Sequence, residues 1–225
     1  MPYFCASKLM KRYETTVFQN LSFSIPYGTL LLLAGRNGSG KSSLLRILAG
    51  LDHPDTGKVY SSDQTLLRQD KATPQRPAPR AIYHSQDIVL FEEFSVRDNL
   101  AIFASAEQAS KGRKSGIVRA LDLKPLLRKR ISALSGGQKR RVHLAATLLA
   151  EADFYLLDEA DAGVDPVWIR RMEVLIQDMK AAGKGFVCAT HNAQFLRSVA
   201  DFALSLDDFA PGAEAGRETA DLPRV

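Results

Sequence analysis

Residues 30–43, which read LLLLAGRNGSGKSS, decide the fold of this chain. The leucines and Ala34 predict a buried parallel strand, because strands that are covered on both faces are apolar throughout. The pattern G-x-x-x-x-G-K-[ST] follows at Gly35–Ser42, and its small residues let the backbone wrap a phosphate group. The N–H groups of the loop and the start of a helix near Ser42 then form an anion site. Lys41 adds a cation at the β- and γ-phosphates, and the Ser42 hydroxyl is placed to bind Mg²⁺.

The composition of the whole chain is that of a globular protein. Its 225 residues make one large domain or two small ones, and its apolar content of 45% and charged content of 24% are ordinary. No apolar run approaches the ~20 residues of a membrane helix, and the N-terminus lacks the features of a signal peptide. We therefore expect a cytosolic chain that reaches a membrane only through a partner. The net charge of +5 suits an anionic ligand or a membrane-adjacent surface and establishes neither.

Strand patterns and helix patterns alternate along the chain. Strands are predicted within 6–25 and at 30–34, 58–60, 81–83, 154–157, 186–189 and 202–206. Helices are predicted from 42 to a C-terminal glycine at 50, from 95 to 131 with a polar break at 109–115, and at 134–149, 168–180 and 192–200, with a turn at 55–57. This alternation indicates an α/β fold with a mostly parallel sheet. Such sheets bind ligands beyond the carboxyl ends of their strands, where Gly35, Asp158 and His191 lie. After Asp208 the composition predicts a frayed tail.

Two acidic residues follow a buried strand. Phe154–Leu157 is apolar and leads directly into Asp158 and Glu159. A carboxylate at the end of a strand that faces the phosphate loop can hold Mg²⁺ directly or through water. The next carboxylate can act as a general base toward an attacking water. The alternative is a pair of surface acids that only end a strand. It would not explain why two acids follow a buried strand in a chain with a phosphate loop.

A second anion site is predicted at Leu134–Gln138. Ser135 can cap the helix that begins there, and the amides of Gly136 and Gly137 point outward from its N-terminus. Taken alone, the stretch could be a flexible turn before a helix. A single nucleotide rarely needs two γ-phosphate sites in one chain, so the economical interpretation is that this stretch completes the site of a second copy in a head-to-tail dimer.

These motifs together resemble the ATP-binding cassette (ABC) ATPase family over residues 6–207. The phosphate loop, the glutamine Gln86, the signature at Leu134–Gln138 and the strand ending at Asp158 stand in the family's order. The resemblance implies a P-loop NTPase fold: a RecA-like, mostly parallel core with an antiparallel β subdomain and a small helical subdomain. Within one nucleotide-binding domain, it implies a catalytic core at 1–86 and 147–207, a helical subdomain at 87–146 that carries the signature, and a flexible tail at 208–225.

The resemblance also implies a role for each site residue. Glu159 and His191 are the expected catalytic residues, with His191 hydrogen-bonded to the γ-phosphate. Metal ligands are expected at Ser42, Gln86 and Asp158. Asp165 is expected to communicate between the two sites of the dimer. The expected ATP-binding residues are Tyr13, Gly35, Arg36, Asn37, Gly38, Ser39, Gly40, Lys41, Ser42, Ser43 and Gln86, and the expected signature residues acting on the partner's site are Ser135, Gly136, Gly137 and Gln138. Tyr13 is either the aromatic that stacks on adenine or an ordinary strand residue.

The chain departs from the family pattern beside the catalytic glutamate. Ala160 stands where the family usually has proline, so the loop loses a fixed dihedral angle. Asp161 replaces a typical small hydroxyl residue. Because neither position carries the chemistry, we expect ATP hydrolysis to survive both changes.

The resemblance favours the nucleotide-binding subunit of a membrane transporter at the cytoplasmic face of the inner or plasma membrane. Its implied partners are transmembrane subunits in a separate chain and a second copy of itself, and its cofactors are ATP and Mg²⁺. The signature and Gly163–Pro166 look like exporter-type subunits, and the short chain is similar to the ATP-binding subunit of the cytochrome c maturation (haem exporter) system. The alternative is a soluble ABC ATPase that acts on nucleic acid or ribosomes.

Two surface features bear on these alternatives. The basic cluster Lys124, Arg128, Lys129 and Arg130 has no interleaved aromatics, so we read it as a solvated face and expect no nucleic acid partner. Phe91 and Phe94 either fill a groove with a short helix of a membrane partner or pack in the core of the helical subdomain.

Overall fold

A computed structural model describes residues 3–61, 80–104, 111–160, 166–190 and 197–212. The strands are β1 (Tyr3–Arg12), β2 (Thr16–Pro26), β3 (Leu30–Ala34), β4 (Thr56–Ser61), β5 (Ala81–His84), β6 (Phe154–Asp158), β7 (Gly185–Ala189) and β8 (Phe202–Ser205). The α-helices are α1 (Lys41–Leu48), α2 (Val96–Phe103), α3 (Lys111–Ala120), α4 (Gly136–Leu149) and α5 (Pro166–Ala181). Short 3₁₀ turns occupy Lys124–Leu126, Ile131–Ala133 and Leu206–Phe209.

The strands of the described residues form two sheets. A parallel sheet has the order β5-β6-β7-β3-β8, and an antiparallel sheet has the order β2-β1-β4. The strand before the phosphate loop, β3, pairs with β7 on one side and β8 on the other, so it lies inside the sheet. The α/β fold with a parallel core and an antiparallel subdomain is therefore confirmed.

Two apolar clusters hold the sheets and helices together. In the first, α4 and α5 pack on one face of the parallel sheet, around residues such as Tyr155, Met172 and Phe186. In the second, α1 lies between the other face and the antiparallel sheet, around residues such as Leu44 and Phe18. Every residue of β6 and β7 is buried, which explains why both strands are almost wholly apolar in sequence. No helix of the described residues is long and apolar enough to cross a lipid bilayer.

Capping boxes begin two helices. At α2, Ser95 and Asp98 bond each other's backbone N–H groups, with aspartate in the place of the usual glutamate. At α4, Ser135 and Gln138 do the same. The predicted C-terminal glycine of α1 is also confirmed, because Gly50 follows the helix with φ 70°.

Several predicted boundaries are wrong. Residues 56–57 belong to β4 and not to a turn, because Thr56 already pairs with Met10 of β1. Helix α3 already spans 111–115, where a polar break is predicted. Residues 197–199 form a turn and residue 200 has no regular structure, so a helix does not end there, while 191–196 lie outside the described residues. The folded core also extends past Asp208, because Phe209 is buried in the second cluster. Of the remaining tail, residues 213–225 lie outside the described residues.

Candidate functional site

The phosphate loop connects β3 to α1 in the backbone conformation that its glycines predict. Gly35, Gly38 and Gly40 all have positive φ, which L-residues with a side chain rarely adopt. At Gly40 the fit is also steric, because a Cβ atom would lie 2.4 Å from a methyl carbon of Val17. Gly40 is the N-cap of α1 and offers no side chain to its first turn, which contains no acidic residue. The N-terminal amides of α1 therefore keep their capacity to bind an anion.

Lys41 lies across this loop. Its Nζ donates to the carbonyl oxygens of Gly35 at 2.8 Å and Arg36 at 3.0 Å, and the residue is only 6% exposed. The ammonium group is thus held over the loop by neutral acceptors, and among the described residues no carboxylate is bonded to it. A bound phosphate would supply the counter-charge that the loop itself does not provide.

The glutamine and the second acidic residue meet at one end of a cleft of about 540 Å³. Gln86 Nε2 donates to Glu159 Oε2 at 2.9 Å. Glu159 has φ 50°, an uncommon conformation for a residue with a side chain, and its N–H bonds the carbonyl of Ala189 in β7. The cleft is lined by Tyr13, Val17, Asn37, Gly38, Gly40, Lys41, Ser42, Ser43, Gln86 and Glu159. Most of the predicted site residues of the described chain are therefore brought together.

Asp158 lies at the carboxyl end of β6 and is 3% exposed. It shares an adjoining cleft of about 410 Å³ with Ser42 and Gln86. Its Oδ2 accepts a hydrogen bond from the hydroxyl of Tyr83, at 2.7 Å. Burial and this bond raise the pKa of Tyr83, so the hydroxyl stays protonated and continues to donate. Tyr83 is a contact that sequence reasoning missed, since no motif links positions on two different strands.

Tyr13 lies in the bend between β1 and β2, so the interpretation as a strand residue is wrong. Its side chain is 56% exposed and lines the cleft. Its hydroxyl contacts Ser43 Oγ at 3.1 Å and donates to Asp52 Oδ2 at 3.2 Å. Stacking on a base stays a prediction, and the position in the cleft is compatible with it.

The predicted second anion site lies on the surface. Ser135, Gly136 and Gly137 are exposed, and a Cβ atom added at either glycine would have no neighbour within 4 Å. Within the described residues nothing therefore requires glycine at these two positions, although glycine in a helix costs about 1 kcal/mol relative to alanine.

Two predicted residues of the phosphate loop line a different cavity. Arg36 directs its backbone N–H toward both carboxylate oxygens of Asp207 at 3.2 Å, and its Nε lies 3.5 Å from one of them. Arg36 and Ser39 line a neighbouring cavity of about 280 Å³ and not the main cleft. Asp165 and His191 lie outside the described residues, so their roles stay predictions.

Two buried histidines connect β5 to α4 beside the cleft. The rings of His84 and His143 lie 4.3 Å apart, and His84 Nδ1 is 3.0 Å from the hydroxyl of Thr147. Burial, together with the neighbouring His143, lowers the pKa of His84 to about 3. Burial lowers the pKa of His143 to about 4. Both rings are therefore neutral at physiological pH.

This pair predicts an acid-sensitive fold. Because the folded-state pKa values of both histidines lie below the ordinary value of 6.5, the unfolded chain binds more protons, and stability falls as the pH drops below about 6.5. At pH 5 the loss is about 2 kcal/mol for each histidine. Urea unfolding at pH 7.5, 6 and 5 measures this slope. The His84→Gln variant should have a shallower slope than wild type, and equal slopes for the two proteins would contradict the prediction.

Comparison with known proteins adds to this geometry. A family model described as ABC transporter matches residues 18–162. The cytochrome c biogenesis ATP-binding export protein CcmA of Rhodospirillum rubrum is 36% identical over 203 residues, which cover 90% of this chain and 84% of that protein. The methionine import ATP-binding protein MetN of Mesorhizobium japonicum is 32% identical over 207 residues, which cover 88% of this chain and only 56% of that protein. A solved ATP binding subunit of an ABC transporter has the same fold, with a TM-score of 0.75 at 23% identity over 90% of this chain and 85% of that one.

Proposed function

The chain belongs to the ABC transporter family, whose members bind and hydrolyse ATP, and from this premise we propose that it is the ATP-hydrolysing subunit of a membrane exporter. The observation that carries the proposal is the single cleft that joins the phosphate loop to Gln86 and Glu159. The loop amides and Lys41 bind the phosphates, and Tyr13 stacks on the adenine. Glu159 polarises the attacking water as general base, and His191 positions that water and the γ-phosphate.

The residues at the floor of the site fit a magnesium ion. Mg²⁺ prefers oxygen ligands, and the buried carboxylate of Asp158 shares a cleft with the hydroxyl of Ser42. These two residues would hold the ion, with Gln86 as a third contact. When bound, Mg²⁺ neutralises charge on the β- and γ-phosphates. The Tyr83 hydroxyl engages one oxygen of Asp158, so the other oxygen is the one that would bind the ion.

We further propose that hydrolysis requires a head-to-tail dimer. The start of α4 at Ser135–Gln138 offers backbone amides, and a Cβ atom added at Gly136 or Gly137 would meet no described atom within 4 Å. In the dimer this surface of one chain closes the γ-phosphate side of the other chain's cleft. Asp165 communicates between the two sites.

Turnover per chain should therefore rise with protein concentration. ATPase activity, measured from nanomolar to tens of micromolar protein with saturating MgATP, should increase until the dimer is fully formed. The Lys41→Ala variant is the control for contaminating ATPase. A specific activity that stays constant across this range would contradict the dimer proposal.

The glycines of α4 give a second test of the same interface. The Gly137→Ala variant should be no less stable than wild type, because alanine is the better helix former and an added Cβ atom there meets open space. The same variant should lose most of its turnover, since the added methyl group stands where the second chain approaches. Gly116→Ala, in α3 with open space around it, is the matched control and should keep its activity. Full activity of Gly137→Ala would contradict the predicted interface.

The membrane partner is proposed to dock on the helical region at 87–146. Phe91 and Phe94 are 51% and 47% exposed, with ring centroids 5.7 Å apart, so they are not buried in the core of that region. Exposed aromatic pairs of this kind anchor helices of partner proteins. Docking places the chain at the cytoplasmic face of the membrane. The likeness to CcmA over 90% of this chain favours export, with haem and cytochrome c biogenesis as the candidate process.

Mild-detergent extraction from the native host tests this partner. A tagged chain should co-purify with a polytopic membrane protein, and the Phe91→Ala/Phe94→Ala variant should not. Val174→Ala, at an exposed valine of α5, is the control and should retain the partner. Co-purification of ribosomes or nucleic acid in place of a membrane chain would support the soluble alternative.

A further inference from the structure

Two charged residues, Lys11 and Asp52, contact the Tyr13 side chain. Neither belongs to a motif of the family. Lys11 Nζ lies 5.0 Å from the centre of the Tyr13 ring. The same ammonium group donates to Asp52 Oδ1 at 2.9 Å, and the other oxygen of Asp52 accepts from the Tyr13 hydroxyl. Lysine, aspartate and tyrosine therefore form a closed triangle of contacts at the edge of the cleft.

The triangle is anchored in two separate parts of the fold. Lys11 belongs to β1 of the antiparallel sheet and is 8% exposed, and it also donates to the carbonyl of His53 at 2.8 Å. Asp52 follows α1, and its backbone N–H bonds the carbonyl of Arg46 in that helix, at 3.3 Å. The position of the Tyr13 ring is thus determined by both the sheet and the helix that begins at the phosphate loop.

The hydrogen bond between Lys11 and Asp52 stabilises the charged form of both side chains. The hydrogen bond from Lys11 holds the pKa of Asp52 below its ordinary value. The same bond raises the pKa of Lys11. The cation beside the ring is therefore present throughout the physiological pH range, and the carboxylate that accepts from the tyrosine hydroxyl is ionised.

We propose that Lys11 and Asp52 are positioning residues that hold Tyr13 as a one-sided stacking platform for the base of the nucleotide. This inference rests on the proposed function, because it assigns the base-binding end of the same cleft. A cation occupies one side of the ring and excludes a second ring from that side. The other side is available to a purine, and a side chain that is fixed in advance loses less conformational entropy on binding.

The test compares ATP with inorganic tripolyphosphate, which carries the phosphates without a base. Lys11→Met removes the cation and keeps the length of the side chain, while Asp52→Asn removes the charge that holds both partners. Isothermal titration should show ATP affinity weakened by about three- to tenfold in each variant, the loss expected when the Tyr13 side chain has to be immobilised on binding. Tripolyphosphate affinity should stay at the wild-type value, and Lys11→Arg should restore ATP affinity.

Lys58→Met is the matched control. Lys58 lies 5.5 Å from the ring of Tyr60 in the same antiparallel sheet, which is a similar contact outside the cleft. This variant should bind both ligands like wild type. If Lys11→Met or Asp52→Asn weakens both ligands equally, the pair has only a structural role and the proposal is overturned.

The Tyr13→Ala variant separates this proposal from the proposed function. If Tyr13→Ala weakens ATP selectively while Lys11→Met and Asp52→Asn do not, the platform exists without the two positioning residues and the inference fails alone. If Tyr13→Ala leaves ATP affinity unchanged, the inference fails and ATP binding through the phosphate loop stands. Absence of ATP binding by the wild-type chain would overturn both.

Discussion

The Glu159→Gln variant is expected to bind ATP like wild type and to hydrolyse it about 10²- to 10⁴-fold more slowly. Glutamine has the shape of glutamate but cannot take a proton from water at neutral pH. Its carbonyl oxygen can still accept the bond from Gln86 that Glu159 Oε2 accepts at 2.9 Å. The architecture of the cleft is therefore retained while the base is removed.

Because the Glu159→Gln variant binds ATP but hydrolyses it slowly, the ATP-loaded dimer should accumulate. Size-exclusion chromatography with MgATP should show a dimer, and single-turnover assays should show the slow chemical step. Glu173→Gln, on α5 away from the cleft, is the matched control and should hydrolyse ATP at the wild-type rate. Wild-type turnover by Glu159→Gln would mean that another group, with His191 the first candidate, activates the water.

The elements that bind phosphate could be predicted from the sequence because their physics is local. A run of leucines, three glycines with positive φ and a lysine at the helix start lie within residues 30–41. The conformation and role of each of these residues depend on its immediate neighbours in the chain. The capping boxes at Ser95 and Ser135 are local in the same sense, since each bond spans three residues.

The contacts that tune the site could not be predicted, because they join distant parts of the chain. Tyr83 and Asp158 are 75 positions apart, and they meet only because β5 and β6 pair in parallel with one particular register. Lys11 and Asp52 are 41 positions apart and meet where the sheet reaches the end of α1. Neither pair forms a pattern along the sequence, and a shift of register by one residue would separate Tyr83 from Asp158.

The burial of isolated residues could not be predicted from the sequence either. Phe209 stands in a polar stretch whose composition predicts a tail, yet it packs against the core beyond β8. His84 and His143 each resemble a surface histidine in sequence, and only the packing of α4 on the sheet brings their rings together. Tertiary packing decides these cases and local propensity does not.

The Lys41→Ala variant is the second change expected to have a large effect. Lys41 is nearly buried, and its ammonium group contacts only carbonyl oxygens of the phosphate loop among the described residues. A charged hydrogen bond to phosphate contributes about 1.5 to 3 kcal/mol, so ATP affinity should fall by about 10- to 100-fold, and turnover should be lost. Equilibrium binding of a fluorescent ATP analogue measures the affinity, and phosphate release measures the turnover.

The pattern of losses across ligands distinguishes removal of the phosphate contact from collapse of the loop. Since Lys41 reaches the β- and γ-phosphates in the proposed complex, its removal should weaken ATP and tripolyphosphate equally and leave adenosine unchanged. Tyr13→Ala should give the opposite pattern, weakening adenosine and ATP and leaving tripolyphosphate unchanged. Lys184→Ala is the control, at a partly buried lysine whose Nζ lies 4.0 Å from Asp153 Oδ1. It should bind ATP, tripolyphosphate and adenosine like wild type. A Lys41→Ala variant that loses adenosine as well would show that the loop had collapsed, and one that keeps wild-type affinity for ATP would contradict the assignment of the phosphate site.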